Sequence, residues 1–194
     1  VLRRRIEKKT ARDQLRAIPD KIQYALAMQQ NIVFFQKLFN DYERFIIEAT
    51  FVRDKQSMKS LKHLMRHPLL THPEKALTTR SKMMFYILQY SYQDKLGNFE
   101  KAHDLRIELL ALFESKENNI YIYLDIYCDI LLKLNAQQAA LSKVSEFNST
   151  LSKLTSIIDR NPKLRSTYCI FIYVNRSILI GQVGDYKDIV QLVA

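Results

Sequence analysis

The chain has 194 residues, 47% of them hydrophobic, and 30 Lys/Arg against 20 Asp/Glu give a formal net charge of +10. That apolar content and length suffice for a buried core and exclude a disordered tail. With only three glycines and four prolines, the sequence lacks the residues that β-hairpins, phosphate loops and dinucleotide folds use for positive φ or close backbone approach, so the chain reads as all-α.

In chain order, residues 2–17 read as a basic amphipathic helix with Leu2, Ile6, Leu15 and Ile18 as a thin apolar stripe. Ile18-Pro19-Asp20 breaks it, and Asp20 is placed to cap the next helix, about 20–51. There Ile22, Leu26, Phe34, Leu38, Tyr42, Phe45 and Ala49 recur at helical spacings. A helix of that length spans about 45 Å and suits an α-hairpin arm or an extended stack. A shorter helix follows at about 54–66, with Met58, Leu61, Leu64 and Met65 on one side. The two prolines of His67-Pro68-Leu69-Leu70-Thr71-His72-Pro73 then force a loop. Six helices are expected beyond it, near 75–95, 98–115, 118–134, 137–158, 162–181 and 185–194. Asn98, Asn118, Asn161 and Asp185 stand where N-caps belong, and Gly97 and Gly184 stand at turns. Turns this short make successive helices antiparallel neighbours.

The charge is uneven. Residues 1–16 carry seven Lys/Arg against Glu7 and Asp13, and residues 53–82 carry eight against Asp54 and Glu74. The last 112 residues are balanced at twelve against twelve. No uninterrupted apolar run of about 18 residues is present, so no membrane span is expected. Val1-Leu2-Arg3-Arg4-Arg5 has no apolar run behind it and is not a secretory signal. The missing initiator Met and the end at Ala194 read as those of a fragment. Cys128 and Cys169, in apolar helical contexts, are expected to be buried and reduced, which fits the cytoplasm.

Leu96-Gly97-Asn98-Phe99-Glu100-Lys101-Ala102 resembles the turn of a tetratricopeptide repeat, where Gly-Asp-Tyr-x-x-Ala joins helix A to helix B. Val183-Gly184-Asp185-Tyr186-Lys187-Asp188-Ile189 is similar, with Ile in place of the small Ala. Physically, glycine takes the left-handed turn, Asn or Asp caps the second helix, and the aromatic packs back on the first. Phe85, Leu88 and Tyr92 match the large apolar positions of helix A. A degenerate copy runs from Tyr123-Leu124-Asp125-Ile126-Tyr127 to Leu134-Asn135-Ala136-Gln137-Gln138-Ala139 without a glycine, and the helix at 137–158 must be extended to fit. Leu61-Lys62-His63-Leu64-Met65-Arg66-His67-Pro68-Leu69-Leu70 also resembles a segment of divergent tetratricopeptide-like proteins of Bacteroidetes-type bacteria. The resemblance covers roughly residues 55–194 and implies an architecture, a right-handed α-solenoid of antiparallel helix pairs, without implying an activity. The chain is thus read as a basic N-terminal helix and long helix at 1–53, a hairpin-like arm continuous with the stack, and the repeats at 54–194, expected to be truncated at the C-terminus.

Constellations with chemical meaning are few. His63, His67 and His72 have part of a zinc pattern, but no fourth ligand stands near, and a solvated basic loop accounts for them better. Glu100-Lys101-Ala102-His103 is a single Glu-x-x-His, where a di-iron bundle needs two and further carboxylates. Asp125 and Asp129 lie four apart and are read as groove-side or base-paired residues. No Gly-rich phosphate loop, Gly-x-Ser-x-Gly or His-Glu-x-x-His is present. The reading is therefore non-catalytic, with no cofactor and no metal.

The tyrosines Tyr86, Tyr90, Tyr92, Tyr121, Tyr123, Tyr127, Tyr168 and Tyr173 are expected to be mostly core, the remainder forming a peptide-binding floor. The resemblance implies a contact to peptide backbone at Asn175, counting back from Gly184, and puts Asp125 at about the equivalent place. Tyr86 and Gln89 complete the expected partner-binding set. A protein or peptide partner is thus expected in the groove. The basic surface formed by Arg3, Arg4, Arg5, Lys8, Lys9, Arg12, Lys55, Lys59 and Lys62 would face an acidic partner or a second copy. Nucleic acid is the alternative partner for that surface, and a structural module of a larger chain is a further alternative.

Overall fold

The computed structural model describes residues 18–48 and 55–183, and among them every regular element is helical. The eight α-helices are α1 (Ile18–Glu48), α2 (Lys55–Met65), α3 (Thr79–Leu96), α4 (Phe99–Glu114), α5 (Glu117–Ile122), α6 (Leu124–Ala140), α7 (Val144–Arg160) and α8 (Pro162–Val183). Two 3-10 turns, Pro68–Leu70 and Pro73–Lys75, lie between α2 and α3. The expected helices at 2–17 and 185–194 lie outside the described residues, as do Arg3, Arg4, Arg5, Lys8, Lys9 and Arg12. No described helix is long and apolar enough to cross a membrane. The chain forms two compact units, Val1–Tyr92 and Gln93–Ala194, whose boundary falls inside α3, whereas the sequence pattern places it at 53/54.

In the first unit, α2 packs on α1. The buried stripe of α1 is Asn31, Phe35, Leu38 and Tyr42. Phe35 is fully buried while Phe34, expected in the stripe, is 57% exposed, as are Ile22 and Leu26 to similar degree. Leu38 and Tyr42 are buried as expected, so the stripe keeps its middle positions and takes Phe35 in place of Phe34. Asn31, one turn before Phe35, anchors that side of the helix. Its Nδ2 donates to the Lys75 carbonyl at 2.9 Å and its Oδ1 accepts from the Leu77 amide at 3.0 Å. This buried amide thus satisfies both strands of its hydrogen-bonding capacity in the loop that leads into α3. The loop itself is closed by prolines at the start of each 3-10 turn and by His67, whose Nδ1 accepts from the Leu69 amide at 3.2 Å. α3 begins at Thr79, four residues later than the spacing predicts. Thr78 Oγ1 accepts from the Ser81 amide at 3.0 Å, the geometry of an N-cap.

In the second unit, α6 is the central element, packing on α4, α7 and α8, and α7 packs on α8 as well. Leu131, Leu134, Leu154 and Phe113 are all at or below 1% exposure. Here the structure corrects the sequence reading in two places. The expected helix at 118–134 is broken at Tyr123 (φ −119, ψ 33), which ends α5 and begins α6. The helix then continues through Ala139, where the degenerate turn was expected, and turns at Leu141-Ser142-Lys143 instead. Asn135-Ala136-Gln137-Gln138-Ala139 is a good helix-forming run, and no glycine marks the real turn, because Ser142 takes the left-handed conformation itself (φ 54).

The two turns of this unit are the same structure. The Asn98 amide donates to the Gln93 carbonyl at 2.9 Å and the Gly97 amide to Asp94 at 3.1 Å. Forty-five positions on, the Lys143 amide donates to Gln138 at 2.9 Å and the Ser142 amide to Ala139 at 3.1 Å. Both are Schellman closures with a left-handed residue at the turn, Gly97 (φ 74) and Ser142. The helices that follow bury equivalent positions: Ala102, Arg106, Leu109 and Phe113 in α4, and Phe147, Leu151, Leu154 and Ile158 in α7.

Three cap expectations are also revised. Asn98 stands before α4, but its side chain donates to Gln93 Oε1 instead of capping the helix. Asn118 is inside α5, which starts after Lys116. Asn161 donates to the Ile157 carbonyl at 2.8 Å and so closes the end of α7. Asp185 lies outside the described residues, and Asp20 sits in the first turn of α1.

Candidate functional site

The second unit holds an open groove of about 620 Å³. It lies where the end of α4, the short α5, the start of α6 and the last turns of α7 meet. Ile120, Leu124, Tyr127 and Ile157 give it an apolar lining, and Tyr121, 70% exposed, stands at its edge. The break at Tyr123 is what builds it, since α5 carries Ile120 and Tyr121 away from the line of α6.

Its charges come from Glu114, Lys153 and Arg160. Lys153 Nζ donates to Glu114 Oε1 at 2.9 Å, and the Tyr127 hydroxyl donates to the same oxygen at 2.7 Å. Burial alone would raise the Glu114 carboxyl, but these two donors and the Lys153 charge outweigh it and hold the carboxyl below its ordinary value. Burial and the neighbouring carboxylate push the Tyr127 phenol upward. Tyr127 therefore stays protonated and acts as a donor to Glu114. Arg160 lies two turns beyond Lys153 on α7, about 10 Å along the axis. No ion pair joins it to a carboxylate among the described residues.

Cys128 is fully buried, and burial first, then Asp125 and Asp129, push its thiol up to about 11. Cys169, expected to be buried, is exposed, because it falls on the outer side of α8 while Tyr168 and Ile172 occupy the inner side. Among the described residues no group of three His, Cys, Asp or Glu is placed to hold a metal ion. His67 caps a 3-10 turn and His72 lies 3.7 Å from Glu74. His103 is buried in α4, with Nε2 3.2 Å from Glu146 of α7 and Nδ1 3.5 Å from Asp104.

The expected partner-binding residues divide between the units. Tyr86 and Gln89 are half-buried on α3 in the first unit, and Gln89 Nε2 donates to the Leu70 carbonyl at 2.7 Å. Asp125 is exposed at the start of α6, and its carbonyl accepts from the Tyr168 hydroxyl at 3.3 Å. Asn175 is 5% exposed and donates to the Leu132 carbonyl and Asn135 Oδ1, both at 3.3 Å, so its amide is engaged between α8 and α6. Asp129, read with Asp125, accepts from the Tyr168 hydroxyl at 3.1 Å. Of the tyrosines, Tyr90, Tyr127 and Tyr168 are buried, whereas Tyr121 and Tyr173 are exposed. Lys59 and Lys62 are exposed on α2, as is Arg66 in the turn that follows it; Lys55 is the first residue of that helix.

Sequence reading did not find the groove. Lys153, Ile157 and Arg160 share one side of α7 at helical spacing, which is legible; their meeting with Ile120 and Tyr121 depends on the unmarked break at Tyr123. No protein-family model matches the chain, and no curated protein and no solved structure does either.

Proposed function

We propose that the chain is a non-catalytic interaction module of the tetratricopeptide-like type, a right-handed α-solenoid of antiparallel helix pairs that holds a protein or peptide partner in the cytoplasm. The observation that carries this reading is the repeated turn. Two helix–turn–helix junctions, at Gly97 and Ser142, share one hydrogen-bond pattern and one buried register. A unit reused in this way stacks on its neighbours to bury a continuous core, and its remaining surface is available for binding. The 45-residue separation exceeds the 34 of a standard tetratricopeptide repeat, and α5 accounts for part of the excess. Partner contacts are assigned to Tyr86 and Gln89 on α3 in the first unit, and to Asp125 at the start of α6 in the second.

The test is affinity purification of the full chain from its native cells with and without nuclease, followed by mass spectrometry. A discrete protein that survives nuclease and is lost with Tyr86→Ala or Asp125→Ala supports the module. Recovery that is indifferent to both substitutions sinks it.

One observation favours a second reading. Lys59 and Lys62 of α2 and Arg66, the residue just after it, are exposed at helical spacing, and no ion pair joins them to an acid among the described residues. A basic ridge of this kind suits phosphates, and binding to a generic duplex that falls steeply from low to moderate salt would support nucleic acid as the partner. Salt-insensitive retention, or none, removes that reading.

A further inference from the structure

The groove between α4, α5, α6 and α7 combines three features that a solvated crevice does not need together. It is large enough for a small ligand, since ligand pockets run from about 300 to 1,000 Å³. Its lining is chiefly apolar, from Ile120, Leu124 and Ile157. And its charges are unequal: Glu114 is paired with Lys153 and hydrogen-bonded by Tyr127, while Arg160 keeps an uncompensated guanidinium among the described residues.

We infer that this groove is a binding site for a compact amphiphilic anion, an aromatic or aliphatic body bearing one carboxylate. The body lies on Ile157 and Leu124, with the exposed Tyr121 ring covering it, and the carboxylate meets Arg160. A cation ligand is disfavoured because Glu114, the one carboxylate lining the groove among the described residues, is already paired with the Lys153 ammonium. A second anion at the Lys153 end is disfavoured by Glu114 itself. The negative end of α7 opposes an anion at Arg160, but α8 begins at Pro162, and its positive end offsets that field within one turn. A planar guanidinium matches a carboxylate with two parallel donors, so one acid group is enough to orient the ligand. The same chemistry comes from a free organic acid or from an acidic residue beside an apolar one in a peptide. The inference does not depend on the interaction-module reading.

The experiment is methyl NMR on the full 194-residue chain, titrated with 2-naphthoate, with its neutral analogue 2-naphthamide and with acetyl-Phe-Glu-amide. At least one of the two acids is expected to move the methyl resonances of Ile120, Leu124 and Ile157. For 2-naphthoate, the neutral amide is expected to bind about five- to tenfold more weakly, as loss of one charge-assisted bond at a half-open site implies. Arg160→Gln should weaken the acids by the same factor, with an otherwise unchanged spectrum showing that the variant is folded. Arg66→Gln, which removes an equal charge from the first unit, should leave them unaffected. Tighter binding of the peptide assigns the site to a protein segment, and tighter binding of 2-naphthoate assigns it to a free acid. The inference is overturned by shifts confined to other methyls, by equal affinity for the amide, or by Arg66→Gln and Arg160→Gln acting alike. Failure of both acids to bind overturns it too.

Discussion

The junctions at Gly97 and Ser142 place the same backbone geometry on different side-chain chemistry. At the first, glycine takes the left-handed position, and the helix that follows buries Ala102, His103 and Arg106. Arg106 donates to Asp94 and, at 2.7 Å, to Gln137 Oε1, while Gln137 donates to the Phe99 carbonyl. At the second, serine holds the same position, and the helix buries Phe147 and Leu151 where the first has Ala102 and Arg106. One junction is thus fixed by a buried polar network and a permissive residue, the other by apolar bulk acting against a mild backbone strain. A repeated helix pair constrains where a side chain is buried far more tightly than it constrains what that side chain is.

The largest expected effect separates the two chemistries. Arg106→Ala leaves Asp94 and Gln137 without their buried partner and should cost about 3–5 kcal/mol in urea unfolding. Leu151→Ala, at the equivalent place, removes only packing and should cost about 2–3 kcal/mol. If Arg106→Ala were the milder of the two, the polar network would not be what holds the first junction. Next, Leu109→Ala and Leu154→Ala occupy matching fully buried positions and should each lose about 3 kcal/mol. Losses differing by more than about 2 kcal/mol would break the equivalence of the two registers.

Smaller effects sharpen the comparison at the turns. A Cβ at Gly97 meets no atom within 4 Å, so Gly97→Ala should cost about 1 kcal/mol through backbone conformation alone. Ser142→Gly should instead stabilise by about 0.5 kcal/mol, because it relieves φ 54. A pair of thermal denaturation curves checks both signs. The smallest effect is on pH. The Glu114 carboxyl is held below its unfolded value of 4.5, so its stabilisation is complete above that value and is lost as pH falls through the lower folded one. Unfolding midpoints between about pH 6 and about pH 3 should therefore fall less steeply in Lys153→Met than in the parent chain.

How much of this was readable in the sequence follows from which residues carried a mark. Gly97 announced its turn, and prolines announced the loop at 67–75 and the start of α8. Ser142 did not announce its turn, because a serine at positive φ looks like any helix-compatible polar residue, and the preceding Asn135–Ala139 run favours helix. In α1, Leu38 and Tyr42 were read rightly, but Phe34 was taken for its neighbour Phe35, and the choice between the two is made by Asn31 and the distant loop at Lys75 and Leu77. The groove was hidden for the same reason. Tyr123 has no breaker beside it, so the departure of α5 from α6 is a tertiary choice and leaves no local trace.

The two cysteines differ in a way that has a practical consequence. Cys128 is sealed inside with its thiol pushed up to about 11, whereas Cys169 lies on the outer face of α8. Thiol reagents attack the thiolate at an accessible sulfur. With no other cysteine in the chain, a maleimide at neutral pH should attach once, at Cys169. The native sequence therefore already carries a unique handle on α8 for a fluorophore or a spin label, and motions of that helix on loading with a partner can be followed without changing a single residue.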